Sequence, residues 1–281
     1  MKKLKSGKIF SELTDTVSQT INQPQYDYRA LLIADVHLGG FDETTNRKIE
    51  QDFVDLMDYC KHHCNKLVIL GDLFDYWMEY PGSRPDIAND AVSAIINLAE
   101  SGFPVLYITG NHDNWMRSFF RDYGVDIEHE YRMVIWDDHR VLLTHGDGIA
   151  SSKWNLPRPI IHRFLRNDYF VWLYQRILPE KTGLKLMKGF SKVSSVRPLT
   201  SNRQKLDEWC RSLLLQDLAD TVICGHHHEV RDEMINEKRY LNTGNFFRDR
   251  NLILYANKEF HSVMWDGSKG QLQVTHSAGN P

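Results

Sequence analysis

Five short blocks in this chain carry side chains suited to metal-centred chemistry. They are Asp35-Val36-His37, Gly71-Asp72-Leu73-Phe74-Asp75, Gly110-Asn111-His112-Asp113, His145-Gly146-Asp147 and Gly225-His226-His227-His228. Together they offer carboxylates, imidazoles and one amide, with no thiolate. Oxygen and nitrogen donors of this kind suit Mn, Fe, Zn or Mg better than soft metals. With Asp72 shared there are eight ligand positions, which fits two ions rather than one. Two ions about 3.5–4 Å apart can activate one water and clamp a phosphoryl oxygen. Any one block alone reads more readily as a turn or a cap. Five in order point jointly to a metal site. The glycines permit tight turns and close approach of backbone.

The elements that position these blocks are legible as apolar runs. Residues 29–34 (RALLIA), 66–70 (KLVIL), 105–108, 139–144 and 221–224 each end on one block. Short runs of this kind are buried-strand patterns. Further strands are expected near 131–136, 239–242, 251–256 and 260–265. Residues 44–63 carry helical spacing through Ile49, Phe53, Leu56, Met57 and Cys60. A second helix is expected over 86–101, with Gly102 and Pro104 as stop signals. The alternation predicts an α/β architecture with a layered central sheet. In open α/β sheets, ligand crevices lie outside the carboxyl ends of strands. The block residues occupy those ends.

Composition bounds the rest. The chain has 281 residues, 42% hydrophobic and 25% charged, which excludes a disordered or fibrous protein. We read residues 1–281 as one domain, with 1–27 a polar peripheral extension. A net charge of −3 argues against a bulk polyanion binder. No apolar run approaches the roughly 18 residues a membrane span needs. The basic start lacks the apolar stretch of a signal peptide. Four scattered cysteines point to a reducing cytoplasm rather than a disulfide scaffold. No cysteine has an arginine six positions on, and G-x-S-x-G, Walker A and H-E-x-x-H patterns are absent. Cys60-Lys-His-His-Cys64 reads as a partly buried helix face rather than a zinc site. His227, between two candidate ligands, is expected to point away. Asp147 either bonds near His145 or shapes a turn.

Residues 151–205 differ from the remainder. They hold twelve Lys or Arg against two acids, a net +10 that leaves −13 elsewhere. They also hold seven aromatics, among them Trp154, Tyr169, Phe170, Trp172 and Tyr174. The pattern is helical, so we read a basic, aromatic helical insertion, a lid over the site. Its apolar faces would suit acyl chains, and its cations phosphates or an anionic membrane surface.

The five blocks resemble the calcineurin-like metallophosphoesterases, whose pattern is D-x-H, G-D-x-x-D, G-N-H-D/E, H, G-H-x-H. The match covers about residues 29–150 and 220–245. The resemblance implies a four-layer α/β/β/α sandwich around a di-metal site. It implies that Asp35, His37, Asp72 and His228 hold one divalent ion. Asp72, Asn111, His145 and His226 would hold the other, with Asp72 bridging. Water-derived oxygen would attack phosphorus in line. His112 would face the leaving oxygen, and Asp75 would orient His112 by a hydrogen bond.

The Gly71-Asp-Leu-Phe-Asp-Tyr-Trp77 stretch and the insertion after His145-Gly-Asp are similar to the UDP-2,3-diacylglucosamine pyrophosphatases. That family splits the pyrophosphate of a lipid-linked nucleotide sugar at the cytoplasmic face of the inner membrane, usually with Mn. The products are UMP and 2,3-diacylglucosamine 1-phosphate. The best-known members carry Arg where this chain has His112. Arg158, Arg163, Arg166, Asn202 and Lys205 are the insertion residues expected near substrate. The alternative is a phosphoesterase acting on another phospho-lipid or a soluble nucleotide. A scaffold without catalysis would lack ligands, and none is missing. No nucleic-acid partner is expected, because the cations are mixed with aliphatic helix faces.

Overall fold

The computed structural model describes residues 28–148, 163, 165–186 and 200–275. In chain order the elements are β1 (Ala30–Ile33), α1 (Glu43–His63), β2 (Lys66–Leu70), α2 (Asn89–Glu100), β3 (Val105–Ile108) and β4 (Asp126–Glu128). Then come β5 (Tyr131–Trp136), β6 (His139–Thr144), α3 (Asp168–Ile177), α4 (Thr200–Leu215) and β7 (Thr221–Cys224). The chain continues through β8 (Val230–Ile235), β9 (Lys238–Thr243), β10 (Asn251–Ala256), β11 (Glu259–Asp266) and β12 (Gln271–Val274). One sheet has the order β12-β11-β10-β1-β2-β3-β4, the other β5-β6-β7-β9-β8.

The two-residue period of a strand decides the layers. Leu31, Ile33, Leu67, Ile69, Val105 and Tyr107 face one way, onto Ile49, Phe53 and Leu56 of α1 and Val92 and Ile95 of α2. Their alternates Leu32, Val68, Leu70, Leu106 and Ile108 face the other way. There they meet Val141, Leu143, Ile223 and Leu241 of the second sheet. On that sheet's outer side, Leu142, Val222 and Tyr240 pack against Leu206, Trp209, Leu213 and Leu214 of α4. The result is helix, sheet, sheet, helix, with the parallel strands at the centre, β1, β2, β3, β6 and β7, buried on both faces over most of their length.

The helices are fixed at their ends. The Asp42 carboxylate accepts the Thr45 amide at 3.0 Å and caps α1. Glu50 of α1 accepts the Asp90 and Ala91 amides at 2.9 and 3.1 Å, so α1 satisfies the open donors of α2.

Part of the expected insertion is also described. Asn167 caps α3 by accepting the Phe170 amide at 3.0 Å. Val171, with Phe170 and Tyr174, packs on Met78, Tyr80 and Trp115. Trp115 Nε1 donates to the Leu165 carbonyl at 2.8 Å, and Gln175 Nε2 to the Glu79 carbonyl at 2.6 Å. Ser83 donates to Glu180 at 2.6 Å. The expected boundary at 205 falls inside α4, which runs on as one helix. Basic composition and core-packing stripe thus share a helix. Among the described residues no helix is long and apolar enough to cross a membrane.

Three strands lacked a clear sequence signal. β4 is only DIE, β8 (VRDEMI) is half-buried and charged, and β12 (QLQV) is a short edge. Cys60 and Cys64 are buried free thiols, and the neighbouring His62 and His63 are exposed.

Candidate metal centre

The blocks converge because each follows a strand and turns sharply at once. Asp35, His37 and Asp72 have φ of 52°, His226 71° and His228 59°. The left-handed region costs a non-glycine residue roughly 1–2 kcal/mol, and such strain gathers at functional sites. Two glycines make the turns possible. A Cβ on Gly71 would lie 2.6 Å from the Gly110 nitrogen and from His145 Nδ1. A Cβ on Gly110 would lie 2.1 Å from Asp72 Oδ1. The blocks also bind one another through backbone: Asp35 N to Gly71 O at 3.1 Å, and Gly225 N to His145 O at 3.0 Å.

Two groups of donors result, joined at Asp72. In the first, His228 Nε2 lies 3.2 Å from His37 Nε2 and 3.3 Å from Asp35 Oδ1. His37 Nε2 is 3.8 Å from Asp35 Oδ1 and 3.9 Å from Asp72 Oδ2. In the second, His145 Nε2 lies 3.3 Å from Asp72 Oδ2, from Asn111 Oδ1 and from His226 Nδ1. His112 Nε2 approaches Asp72 Oδ2 at 4.0 Å.

The donor chemistry fits divalent cations. His145 Nδ1 bonds the Leu70 carbonyl at 2.7 Å, which points Nε2 at the cluster, where the neutral ring would offer its lone pair to a metal. The buried Asp35 Oδ1 accepts no hydrogen bond among the described residues and faces imidazole nitrogens instead. Burial opposes a proton on His145, yet the charge and hydrogen bond of Asp72, joined by the charges of Asp35 and Asp147, together outweigh it and push the pKa up to about 10. Burial would raise Asp72, but His145 and then His112 hold it well below the ordinary carboxylate range. Burial and the neighbouring His145 lower His226 to about 3. The centre of the cluster is a place where positive charge is favoured.

Several expected residues sit differently from the sequence reading. The Asp75 carboxylate was expected to orient His112. Instead His112 Nδ1 lies 2.7 Å from the Asp75 backbone carbonyl, and the carboxylate stands 3.8 Å from it. The carboxylate is also 3.8 Å from His37 Nδ1, because the turn aims Asp75 between the two rings. Arg166 was expected near substrate. Its side chain is only 9% exposed and is spent as a tether. It donates to the carbonyls of Gly110 and His129 at 2.7 Å each, and to Asp147 at 2.8 Å. Asp147 thereby gains its role: it anchors the insertion. Arg163 and Lys205 are exposed. Arg158 and the Asn202 side chain lie outside the described residues. His227 is fully buried, 3.9 Å from Asp207, turned from the cluster as expected.

Other residues organise the centre without a clear sequence signal. Buried Asp113 accepts the Gly110 amide at 2.6 Å, the Leu73 amide at 3.0 Å and the Tyr107 hydroxyl at 2.6 Å. It therefore locks the second block to the third. Asn242 donates to the Gly225 carbonyl at 2.7 Å, and Asn245 to that of His228 at 3.0 Å. The polar run at the end of β9 and just past it could have flagged these asparagines, since a core strand rarely ends in amides without partners.

The calcineurin-like phosphoesterase family model matches residues 28–231. A protein named UDP-2,3-diacylglucosamine hydrolase from Actinobacillus succinogenes is 27% identical over 205 residues, 72% of this chain and 84% of its own. Proteins of the same name from Pseudomonas entomophila and Edwardsiella ictaluri are 26% and 27% identical over 202 and 203 residues. Each alignment takes in 70% of this chain, with 81% and 75% of theirs. Among solved structures, Vacuolar Protein Sorting 29 from Cryptosporidium parvum matches 89% of this chain and 97% of its own. It does so at 14% identity with a TM-score of 0.44. An archaeal phosphodiesterase matches at 11% identity with a TM-score of 0.44, over 83% and 98%. The family model spans the whole cluster except Asn242 and Asn245, and the cluster's donors are those a divalent metal takes. The chain belongs to the calcineurin-like phosphoesterases and is a metal-dependent phosphoester hydrolase.

Proposed function

We propose that this chain hydrolyses the pyrophosphate of UDP-2,3-diacylglucosamine, releasing UMP and 2,3-diacylglucosamine 1-phosphate. The observation that carries the reading is the seat of α3. The residues leading into it are fastened beside the cluster through Arg166 and through Trp115 on the Leu165 carbonyl, and the helix itself through Gln175. Its outer face leaves Tyr169, Trp172 and Ile177 at 69%, 55% and 66% exposure. A water-soluble substrate gives no reason for that apolar surface beside a phosphoester site. The names of the curated relatives support the same substrate.

Asp35, His37, Asp72 and His228 would hold one divalent ion, and Asp72, Asn111, His145 and His226 the other. We expect Mn, with Fe, Zn or Mg as alternatives. Bound there, such ions supply Lewis-acid polarisation and a water of lowered pKa. His112 is held by the Asp75 carbonyl through Nδ1, so Nε2 faces the centre. Burial opposes its protonation, but Asp72 beside it raises its pKa above the ordinary value. It would hold a proton against the leaving oxygen. Peripheral contact with the cytoplasmic face of the inner membrane would bring the lipid within reach.

A second reading is favoured by His112 itself, which stands where the best-known lipid enzymes carry Arg. On that reading the substrate is another phospho-lipid or a soluble nucleotide. The deciding assay offers Mn-loaded protein UDP-2,3-diacylglucosamine in ¹⁸O-water. Labelled UMP is the expected product, with water attacking the α-phosphorus. No UMP, with a generic phosphodiester still cleaved, overturns the substrate in favour of the second reading.

A further inference from the structure

Two phenylalanines stand at the edge of the cluster. Phe247 follows β9, and its loop is tied to the first block: the Phe246 and Phe247 amides lie 3.1 and 3.4 Å from the Asp35 carbonyl. The Phe247 ring meets His37 edge-on, centroids 5.8 Å apart, and His228 at 5.3 Å. Phe41 lies beside it at 5.3 Å with the planes tilted by 32°. The Phe41 ring is 37% exposed.

The fold gives Phe41 no other work. It precedes the α1 cap Asp42, where an apolar residue ordinarily clasps one on the first helical turn. The residue on that turn is Asn46, which is polar. Asn46 instead holds the Phe41 backbone: it accepts the Gly39 amide at 3.0 Å and donates to the Phe41 carbonyl at 2.7 Å. The backbone that carries the ring is therefore fixed at the site's edge, and a preplaced aromatic loses little freedom on binding.

Strand order says which end of a substrate would meet it. The first sheet runs β10-β1-β2-β3-β4 across the site. Phe247 lies between β9 and β10, next to the block after β1. Arg166 fastens the insertion at Gly110 and His129, after β3 and β4. The aromatic pair and the insertion thus flank the cluster on opposite sides. A molecule whose phosphates sit at the cluster would send one end to each flank. The apolar α3 face lies on the insertion side, which leaves the aromatic pair for a flat group.

We propose that Phe41 and Phe247 form a stacking platform for the nucleobase of the substrate. The inference rests on the proposed function, because it concerns the nucleoside half of that substrate. Stacking is tolerant of base identity, so the platform selects a base over no base rather than uracil over adenine.

The test compares UMP, AMP and ribose 5-phosphate binding to Mn-loaded full-length protein by calorimetry, with lipid hydrolysis followed separately. Wild type is expected to bind UMP and AMP about tenfold more tightly than ribose 5-phosphate, a typical gain from one aromatic contact. Phe41→Ala is expected to abolish that preference with ribose 5-phosphate unmoved, and Phe41→Tyr to keep it. Equal binding of UMP and ribose 5-phosphate in wild type overturns the platform. So does an intact preference in Phe41→Ala. If UDP-2,3-diacylglucosamine is not cleaved but the preference behaves as expected, the proposed function fails and the platform stands. If the lipid is cleaved and Phe41→Ala binds as wild type, the platform fails and the function stands.

Discussion

Both donor groups of the centre meet at Asp72, and this shared position makes its loss different from any other. Its Oδ2 lies 3.3 Å from His145 and 3.9 Å from His37, and its Oδ1 accepts the His112 amide at 2.9 Å. Asp72→Ala is expected to remove metal from both positions and to abolish hydrolysis, read by elemental analysis and turnover together. A variant with full metal content would separate the two groups. His112 is bound differently. Its bond to Asp72 comes from the backbone amide and survives truncation of the side chain, while the ring's bond runs to the Asp75 carbonyl and holds no ligand. His112→Ala is therefore expected to retain metal and to lose about 10²–10⁴ in turnover, the usual worth of an acid–base group. Turnover equal to wild type would remove His112 from the chemistry.

Arg140 couples two elements of the second sheet and gives that coupling a pH signature. It stands at the start of β6, and its guanidinium grips Asp220 through two bonds at 3.0 and 2.6 Å, just before β7. It also reaches Asp217 at 2.7 Å, where Lys238 joins it. The bond from Arg140 lowers the Asp220 pKa, and those from Lys238 and then Arg140 lower Asp217 to about 2. A carboxylate whose folded pKa is depressed stabilises fully above its unfolded pKa, about 3.9, and loses that contribution as pH falls through the folded value. Arg140→Met is expected to cost about 1 kcal/mol at neutral pH, the scale of a part-exposed ion pair. Denaturant titrations should show the gap to wild type closing between about pH 4 and pH 2. A gap constant down to pH 2 would deny the pairing its role. None of this coupling was visible in the residues alone. The strands and the blocks at their ends were, because burial on both faces leaves an apolar run and each turn leaves a glycine or a short polar residue. Partners distant in sequence leave no such mark. Arg166 is expected near substrate from the sequence because a cation in a basic segment looks the same whether it faces solvent or closes on two carbonyls and Asp147. Asp113 passed as the tail of its block, although it gathers three donors, two from its own stretch of chain and one from the second block. Asp75 was assigned by its side chain, whereas the backbone carbonyl supplies the bond.

Charge is segregated along the chain, and the described part of its basic segment joins cations to exposed apolar side chains. Residues 151–205 carry +10 and the remainder −13 in sequence, an asymmetry that would favour an anionic surface on the segment's side if its cations gather there. On the described part of that segment, Arg163, Arg176, Lys181 and Lys185 accompany the exposed Trp172 and Ile177. Tyr169 and Trp172 stack at 5.9 Å, and such amphipathic rings suit the boundary between lipid and water. Cations near an anionic leaflet contribute about 1 kcal/mol each, and inserted side chains add apolar burial. The two contributions separate by experiment. Wild type is expected to sediment with phosphatidylglycerol vesicles and not with phosphatidylcholine vesicles. Molar salt should release most of it, since screening then acts within about 3 Å. Trp172→Asp with Ile177→Asp is expected to abolish sedimentation even at low salt, because charged side chains would have to enter the interface. Metal content should stay at the wild-type level, since α3 meets the core through its opposite face. If the double variant sediments as wild type does, the exposed face of α3 is not the contact. Binding would then rest on charge alone, and the apolar surface would have to be explained by the substrate's acyl chains.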